Sequence, residues 1–381
     1  MKILIWAPFI NKVGTTTNVI NSIVALKKFS KKNEYSIDLI DVFGEWSEYK
    51  FKDIRINKLQ LLNNKFIYQS KKDGFLRSRF FTLLIFFYSI IPLAKLLKKN
   101  NYDFIMAHLI TSLPILLLSF LKIKTKLILC IAGFPKLTFF RSFFWKFFQK
   151  SINKIICPSK EAEDLFIKNL IFNRDKLFVI KDPHINIKKI IKKKNSNNDN
   201  LIQLPDDFII AIGRLTIQKN YIFLLNAFKN ILKEKNNLNL VIIGDGEDRK
   251  KIEKKILELE IKNKVFLLGY QSNIYAYLKK ARCYISTSNW EGGPGLATLD
   301  AAFLNIPIIC SNCRSGRKEF IGNNERGYIF DVNNLSSLLS QFDNFFNENQ
   351  KELKNKLINS KKEVRNFTLF RYFLGIKKLL G

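Results

Sequence analysis

Short apolar runs alternate with longer stretches of helical periodicity along the whole chain. The first run, KILIWA at residues 2–7, leads into a loop around Gly14 and then into a helical pattern from about Thr17. Uninterrupted apolar runs are typical of strands buried on both faces, and their alternation with helices predicts a parallel sheet. The predicted strands of the N-terminal half cover residues 2–7, 35–40, 102–107, 126–131, 154–157 and 177–180.

A polar, Asn-rich segment, KKIIKKKNSNNDN at residues 188–200, interrupts this alternation as a linker would. Strands are predicted again at residues 207–212, 239–243, 264–267, 282–287, 307–310 and 327–330, and a helical tail follows from residue 334. We therefore predict an α/β protein with two Rossmann-like, doubly wound domains that face each other across a cleft. The expected domains are residues 1–195 and 196–360, followed by a C-terminal helix at 361–381 that can return to the N-terminal domain.

The chain is strongly basic, with 64 Lys and Arg residues against 32 Asp and Glu residues. Residues 1–200 hold 36 basic and 14 acidic residues, whereas residues 201–381 hold 28 and 18. A field of one sign over part of a chain indicates a polyanionic partner, either a nucleic acid or an anionic lipid surface. A genome that favours Lys and Asn codons would give the same excess without any such partner.

The cysteines and the start of the chain indicate a reducing compartment. Most of the five cysteines lie in apolar runs, where a reduced thiol behaves as a small hydrophobe, and no secretory signal precedes the first predicted strand. Cys310 and Cys313 form a C-x-x-C pair, but no second pair and no nearby His completes a zinc site. We therefore expect a cytoplasmic protein without a bound metal.

Three apolar segments bear on membrane association. Residues 80–94 and 109–121 are uncharged but shorter than the roughly 20 residues that span a bilayer, so we expect them to pack in the core or to be buried shallowly. Residues 139–150, FFRSFFWKFFQK, interleave seven aromatic side chains with Arg141, Lys146 and Lys150. Aromatic side chains on one face and cations on the other favour an interfacial helix over ordinary core packing. We therefore expect peripheral association with the inner face of the cell membrane.

The segment SNWEGGPGLATLDAAFLN, residues 288–305, carries the strongest local signal for a ligand. After a predicted strand, a glycine-rich turn at residues 292–295 leads into a helix. Glycine lets the backbone approach a ligand closely, and the N–H groups that begin a helix favour an anion such as a diphosphate. Glu291 and Asp300 bracket the turn and can grip sugar or ribose hydroxyl groups. A tight turn beside a solvated Glu is the alternative interpretation.

Two further segments follow predicted strand ends. AIGRLTIQKN, residues 211–220, places Arg214 and Lys219 where two cations suit a diphosphate, although solvated surface charge is the alternative. VIIGDGEDR, residues 241–249, has Gly244 and Gly246 but lacks the third glycine of the dinucleotide fingerprint. We interpret this segment as a turn rather than a nicotinamide site, and we expect no cofactor.

Taken in order, these segments resemble the retaining, GT-B-type glycosyltransferases of family four. The matching run covers about residues 207–332 and consists of GRLTIQKN, VIIGDGEDR, FLLGY with Asn273, STSNWEGGPGLATLDAAFLNIPIICSN, Arg317-Lys318-Glu319 and Gly327. The N-terminal half matches more loosely, through residues 2–14, His108 and IICPSKEAEDL at 155–165.

The resemblance implies a role for each matching residue. It places Glu291 and His108 at the transferred sugar as the catalytic residues, and Asp300 at the ribose. It also places Arg214 and Lys219 at the donor diphosphate and Gly14 near the phosphates. We expect Gly293, Gly295 and Leu296, at the start of the predicted helix, to be donor-binding residues as well. No metal is expected, because these cations already accompany the diphosphate.

The sequence also departs from the family pattern. Eight residues, not seven, separate Glu291 from the second acid, and that acid is the shorter Asp300. The extra residue is expected within residues 292–295, because Asp300 keeps the family's spacing to Pro307. A lone Gly14 stands where a pair of glycines is usual. A catalytically impaired, transferase-like binding protein is therefore one alternative.

We accordingly predict a retaining, metal-independent hexosyl- or N-acetylhexosaminyltransferase. It would move a sugar from a nucleoside-diphosphate sugar to a lipid-linked or cell-surface glycan, such as a lipid-linked repeat unit or lipopolysaccharide, with the acceptor held by the N-terminal half. A basic nucleic-acid-binding protein is the other alternative. No nucleic acid is expected as a partner, because no helix-turn-helix, zinc-finger or aromatic-sheet signature accompanies the charge.

Overall fold

The computed structural model describes residues 1–10, 14–49, 51, 54, 56–62, 75–135, 137–195, 204–314 and 316–381. These residues divide into two compact units: Met1–His184 together with Leu369–Gly381, and Ile185–Thr368. Each unit is built on one parallel sheet with apolar clusters on both of its faces. The predicted α/β class with two Rossmann-like domains is confirmed.

The N-terminal unit contains a sheet of seven strands within the described residues, in the order β3-β2-β1-β4-β5-β6-β7. Its strands are β1 (Lys2–Trp6), β2 (Ser36–Asp41), β3 (Asn57–Gln60), β4 (Phe104–Ala107), β5 (Lys126–Cys130), β6 (Lys154–Cys157) and β7 (Leu177–Val179). Its first helices are α1 (Gly14–Phe29), α2 (Phe75–Lys99), α3 (Ser112–Phe120), α4 (Phe139–Phe148) and α5 (Lys160–Lys168).

The C-terminal unit contains a sheet of six strands within the described residues, in the order β10-β9-β8-β11-β12-β13. Its strands are β8 (Phe208–Ile212), β9 (Asn239–Ile243), β10 (Val265–Leu267), β11 (Tyr284–Ser286), β12 (Ile308–Ser311) and β13 (Tyr328–Phe330). Its helices are α6 (Ile187–Asn195), α7 (Tyr221–Ile231), α8 (Arg249–Glu258), α9 (Tyr275–Leu278), α10 (Leu296–Phe303), α11 (Arg317–Ile321), α12 (Leu335–Asn347) and α13 (Gln350–Val364).

The central strand β1 illustrates why the apolar runs form strands. Leu4 and Trp6 belong to the apolar cluster on one face of the sheet, whereas Ile3 and Ile5 belong to the cluster on the other face. All four side chains are fully buried, as expected for a parallel strand that helices cover on both sides.

The last helix, α14 (Leu369–Leu380), packs within the N-terminal unit. Its buried Tyr372 and Ile376 join the apolar cluster on the face of the sheet that α1 covers. A Cβ at Gly375 would lie 3.1 Å from Cγ2 of Ile180, so the glycine allows the helix to approach the end of β7. The C-terminal helix expected at 361–381 thus begins later, at Leu369, because α13 packs on α10 in the C-terminal unit.

The boundary and the linker differ from the prediction. The units divide between His184 and Ile185 rather than at residue 195, and residues 187–195 form helix α6 instead of a linker. Ile190 is buried in the C-terminal unit, and Asn273 Nδ2 donates a hydrogen bond of 2.9 Å to the carbonyl oxygen of Lys193. The apolar positions of this lysine-rich segment therefore hold it on the domain that follows it. The rest of the predicted linker lies outside the described residues.

Helix α2 also differs from the expectation of core packing for residues 80–94. Its 25 residues bury Phe81, Ile85 and Leu93. Its outer face is nevertheless apolar, with five side chains that are between 54% and 65% exposed: Phe80, Leu83, Phe87, Tyr88 and Ile91. Within the described part of the chain, residues 79–99 form the one helix that is long and apolar enough to cross a membrane. Length and composition alone make this weak evidence for a span.

Helix α4 does not separate its aromatic side chains from its cations in the predicted way. Trp145 points into the core and is 7% exposed, and Arg141 lies over its ring at 5.6 Å. Four phenylalanines instead form the outer face and are between 61% and 82% exposed: Phe139, Phe140, Phe143 and Phe147. The seven aromatic residues are therefore divided between the core and the surface.

Candidate functional site

Two loops of the C-terminal unit lie at the point where the strand order of its sheet reverses. Strand β8 is paired with β9 on one side and with β11 on the other, because the chain runs from β8 outward to β10 and then crosses back to β11. In open parallel sheets, ligands bind beyond the carboxyl ends of the strands at such a switch point. The loop after β8 carries Arg214 and Lys219, and the loop after β11 carries Glu291.

Hydrogen bonds to backbone carbonyl oxygens of the β8 loop hold these two loops together. Asn289 N donates to the carbonyl oxygen of Gln218 at 2.8 Å, and Asn289 Nδ2 donates to that of Ile217 at 2.9 Å. Thr287 Oγ1 donates to the carbonyl oxygen of Lys219 at 3.1 Å. The position of Lys219 beside the β11 loop is therefore fixed by more than its own side chain.

The two glycines of VIIGDGEDR support the β8 loop from its other side. A Cβ at Gly244 would lie 1.9 Å from the carbonyl oxygen of Gly213, and one at Gly246 would lie 2.4 Å from that of Leu215. Both distances exclude any side chain. The close packing of two backbones accounts for these glycines, in agreement with their interpretation as part of a turn.

Glu291 is the centre of the polar cluster at this edge of the sheet. Its side chain is buried, and Oε1 accepts hydrogen bonds from Ser288 Oγ at 2.7 Å, from Arg317 Nη2 at 3.2 Å and from Lys219 Nζ. Burial by itself would raise the pKa of Glu291, but the charges of Lys219 and Arg317 outweigh it and hold the pKa below its usual value. Glu291 is therefore an ionised carboxylate that accepts hydrogen bonds from two cations, Lys219 and Arg317.

Arg317, the first residue of α11, is a functional candidate that the sequence analysis missed. It is fully buried and donates to Ser286 Oγ at 2.7 Å, to Ser311 Oγ at 2.9 Å and to the carbonyl oxygen of Pro294 at 3.1 Å. Arg317 lies in the segment that resembles the glycosyltransferase family, but the resemblance assigns it no role. Its partners come from separate segments, so no local pattern distinguishes this arginine from a solvated one.

The glycine turn leads into α10 as predicted. Gly293 has φ +139° and Gly295 has φ +95°, conformations that residues with side chains rarely adopt, and a Cβ at Gly293 would meet nothing within 4 Å. Leu296 is the first residue of α10. The turn therefore presents backbone to an open space directly before a helix start.

Within the described residues, neither of the remaining two C-terminal candidates is hydrogen-bonded to the side chain of Glu291. Asp300, on α10, is 3% exposed and accepts a hydrogen bond of 3.3 Å from the hydroxyl group of Tyr275, a partner that the sequence analysis did not single out. Arg214 is exposed on the β8 loop. Of the predicted donor-binding residues, the structure thus joins Lys219 directly to Glu291.

The N-terminal candidates lie at the switch point of their own sheet. Strand β1 pairs with β2 and β4, Gly14 begins the helix that follows β1, and His108 directly follows β4. Residues 11–13, the rest of the predicted glycine loop, lie outside the described residues. His108 N donates to the carbonyl oxygen of Trp6 at 2.9 Å, which fixes the backbone at this position.

The imidazole of His108 is neutral in this environment. Burial lowers its pKa to about 4, and Nε2 is buried without a hydrogen-bond partner among the described residues. A buried nitrogen without a partner is costly unless a ligand or water satisfies it. The role of His108 at the transferred sugar stays a prediction.

The side chains that could bind a metal ion are dispersed within the described part of the chain. Among them, no three His, Cys, Asp or Glu side chains converge in a way that could hold a metal ion. All five cysteines are buried free thiols, and burial raises the pKa of Cys310 to about 12. The metal independence of the reaction stays a prediction.

Two Rossmann-like domains, each with candidate ligand-binding residues at its switch point, define the GT-B class of fold. A solved glycosyltransferase from Rickettsia africae ESF-5 has this architecture over its whole length. It superposes with a TM-score of 0.76 at 17% sequence identity, covering 100% of this chain and 97% of that one. At this level of identity the similarity establishes the fold.

Residues 192–364 match the model of the family described as Glycosyl transferases group 1. An uncharacterized glycosyltransferase of Methanocaldococcus jannaschii is 29% identical over 247 residues, and the match spans 60% of each protein. The UDP-Gal:alpha-D-GlcNAc-diphosphoundecaprenol alpha-1,3-galactosyltransferase of Escherichia coli is 28% identical over 296 residues, which is 71% of this chain and 74% of the enzyme. The resemblance to GT-B glycosyltransferases is confirmed.

Proposed function

We propose that this protein is a retaining glycosyltransferase that takes a hexose or N-acetylhexosamine from a UDP-sugar and attaches it to a saccharide on a polyprenyl diphosphate. The observation that carries the proposal is the buried cluster of Lys219, Arg317 and Glu291 beside the glycine turn. Two cations share one carboxylate, so the cluster has an excess positive charge. A donor diphosphate at the start of α10 would offset that charge.

The relatives support the choice of substrates. The E. coli enzyme is named for UDP-Gal as donor and for an acceptor on diphosphoundecaprenol. A second relative, from Campylobacter jejuni, is named for an acceptor on diphospho-undecaprenol and is 26% identical over 296 residues. We extend both features, a UDP-linked donor and a lipid-linked acceptor, to this chain.

In the proposed reaction, the bond between the anomeric carbon and the diphosphate oxygen breaks as the acceptor hydroxyl bonds to the same face of that carbon. The proton of the acceptor hydroxyl passes to the leaving diphosphate. Lys219, Arg214 and the start of α10 would stabilise the negative charge that develops on the departing UDP. Because Oε1 of Glu291 already accepts three hydrogen bonds, this carboxylate is better suited to holding a sugar hydroxyl than to attacking the sugar.

The N-terminal unit offers a surface that suits a lipid-borne acceptor. Helix α3 contacts both α2 and α4, so the three helices are neighbours on one face of the sheet. Their exposed large apolar side chains are Phe80, Leu83, Phe87, Tyr88, Ile91, Phe120, Phe139, Phe140, Phe143 and Phe147. Exposed cations on the same helices and the loop after α3 include Lys95, Lys98, Lys122, Lys124 and Lys146. Apolar side chains and cations together bind an anionic leaflet, so we propose that this surface rests on the membrane.

Ligand binding and transfer test the proposal in sequence. Purified protein is melted with UDP, GDP, UDP-galactose, UDP-N-acetylgalactosamine and UDP-N-acetylglucosamine. We expect UDP and one UDP-sugar to raise the melting temperature, because a ligand that binds only the folded state stabilises it by mass action. The effective UDP-sugar, with a radiolabelled sugar, should then label a lipid extract that contains polyprenyl-diphosphate saccharides, and the product should keep the anomeric configuration of the donor. If none of the nucleotides raises the melting temperature, the proposal is wrong.

A further inference from the structure

Arg317 is a buried cation whose orientation is set by the ends of two strands. Nη2 donates to Ser286 Oγ at 2.7 Å, at the end of β11, and Nη1 donates to Ser311 Oγ at 2.9 Å, at the end of β12. A guanidinium is a rigid planar fork, so two fixed donors determine the direction of the others. The rigid sheet therefore decides where the remaining donors of Arg317 point.

The remaining contacts of the fork reach the glycine turn and the carboxylate. Nε donates to the carbonyl oxygen of Pro294 at 3.1 Å, and Nη2 also donates to Oε1 of Glu291 at 3.2 Å. A Cβ at Gly295 would lie 3.4 Å from Nη2 and 3.7 Å from Cδ of Glu291, so the turn packs directly against this pair. One side chain thus connects the sheet to both parts of the proposed donor site.

Arg317 and Lys219 are not equivalent partners of Glu291. The side chain of Lys219 is 19% exposed and ends in a single flexible ammonium group, which can turn to an incoming diphosphate. The side chain of Arg317 is 0% exposed and is held by the two serines. When a donor draws Lys219 away, Arg317 is the cation that stays with the carboxylate.

We propose that Arg317 is a positioning residue of this site. It keeps Glu291 ionised and directs Oε1 towards the protein, which leaves Oε2 for a hydroxyl group of the donor sugar. It also fixes the turn at residues 292–295, which is where we place the extra residue relative to the family pattern. This inference rests on the proposed function, because it assigns the sugar of the UDP-sugar to Oε2. Among the described residues, no hydrogen bond to Oε2 competes with that hydroxyl.

Arg317→Gln and Arg317→Lys test the proposal, with Arg326→Gln as the matched control. Arg326 follows α11 and donates a hydrogen bond of 3.1 Å to the carbonyl oxygen of Phe320 on that helix. It is not hydrogen-bonded to Glu291. Dissociation constants are measured for UDP and for the UDP-sugar that most stabilises the wild type, from about pH 4 to about pH 8. Binding of UDP alone reports the diphosphate site, and the additional affinity for the UDP-sugar reports Glu291.

In Arg317→Gln, we expect the affinity for the UDP-sugar to fall by about tenfold and the affinity for UDP by less than about threefold, the scale of one lost charge-assisted contact. The affinity for the UDP-sugar should fall at acidic pH as Glu291 is protonated. The midpoint of this acidic limb should rise by about one pH unit in the variant, because a nearby cation lowers a carboxyl pKa by about 1–3 units. Arg317→Lys should restore the acidic limb but only part of the affinity, since it keeps the charge and loses the fork. Arg326→Gln should match the wild type in both measurements.

Equal losses for UDP and UDP-sugar in Arg317→Gln, with an unmoved acidic limb, would show a purely structural role and overturn the inference. If Arg317→Gln does not fold, the double variant Ser286→Ala/Ser311→Ala releases the fork and should shift the same two quantities in the same direction by smaller amounts. An unchanged double variant would equally overturn the inference. A wild type that binds no UDP-sugar would instead overturn the proposed function, so the two failures are distinguishable.

Discussion

The backbones of Gly244 and Gly213 pass so close to each other that a Cβ at Gly244 would lie 1.9 Å from the carbonyl oxygen of Gly213. We therefore expect Gly244→Ala to destabilise the protein by about 3 kcal/mol, as for severe overpacking in a core. Gly381→Ala is the control, because a Cβ there would meet its nearest atom at 3.4 Å. Chemical denaturation measures both variants, and equal stability of the two would contradict the packing argument.

Lys219→Ala should reduce turnover by about 100-fold or more, the scale of losing one group that stabilises developing charge. It should also weaken UDP binding, because the ammonium group is one of the two cations beside Glu291. The control is Lys233→Ala, which removes an exposed lysine just after α7. Steady-state kinetics and UDP titration give the comparison. Near-normal turnover in Lys219→Ala would remove this residue from the site.

The buried imidazole of His108 predicts an acid-sensitive fold. Its folded pKa of about 4 lies below the unfolded value of about 6.5, so its contribution is fully present above about pH 6.5 and is lost as the pH falls towards 4. The free energy of unfolding should therefore decline through this window more steeply in the wild type than in His108→Asn. In an NMR titration, the His108 ring should remain neutral down to about pH 5. A midpoint near 6.5 would contradict its burial.

The exposed face of α4 predicts binding to anionic vesicles. We expect the variant with Phe139, Phe140, Phe143 and Phe147 changed to Ser to lose most of its sedimentation with phosphatidylglycerol vesicles while keeping the wild-type melting temperature, because these rings are at least 61% exposed. Phe144 is left intact, since it packs against the core. High salt should release part of the bound wild type.

The control for vesicle binding changes Leu257 and Tyr270 to Ser, two exposed apolar residues of the C-terminal unit. This variant should bind vesicles like the wild type. If the wild type does not sediment at physiological salt, the membrane surface is wrong and the transferase proposal is unaffected.

A further prediction concerns metal ions. The cations that we propose for the diphosphate, Lys219 and Arg214, would supply charge that Mg²⁺ supplies in other transferases. We therefore expect transfer activity to survive excess EDTA. Activity that disappears with EDTA and returns with Mg²⁺ would show that the site needs a metal.

The two parallel sheets and the loops that carry most of the candidate site could be predicted from the amino-acid sequence. Apolar runs such as KILIWA report burial on both faces, which is a local property of a strand in a covered parallel sheet. The predicted strands were found, and Lys219 and Glu291 lie on the loops that their strand ends predicted. Strand β3 was missed, because NKLQ at the sheet edge is mostly exposed and polar and gives no apolar signal.

Which side chains meet and which apolar faces stay uncovered depends on the packing of distant segments. Arg317 is held by Ser286, Glu291 and Ser311, which come from separate loops and strand ends. The hydrophobic periodicity of the sequence therefore does not indicate this cluster. The outer face of α2 carries large apolar side chains as its inner face does, and whether they are covered depends on neighbours that the sequence of the helix does not specify. Local pattern fixes the element, whereas burial of a particular side chain is set by how distant segments pack around it.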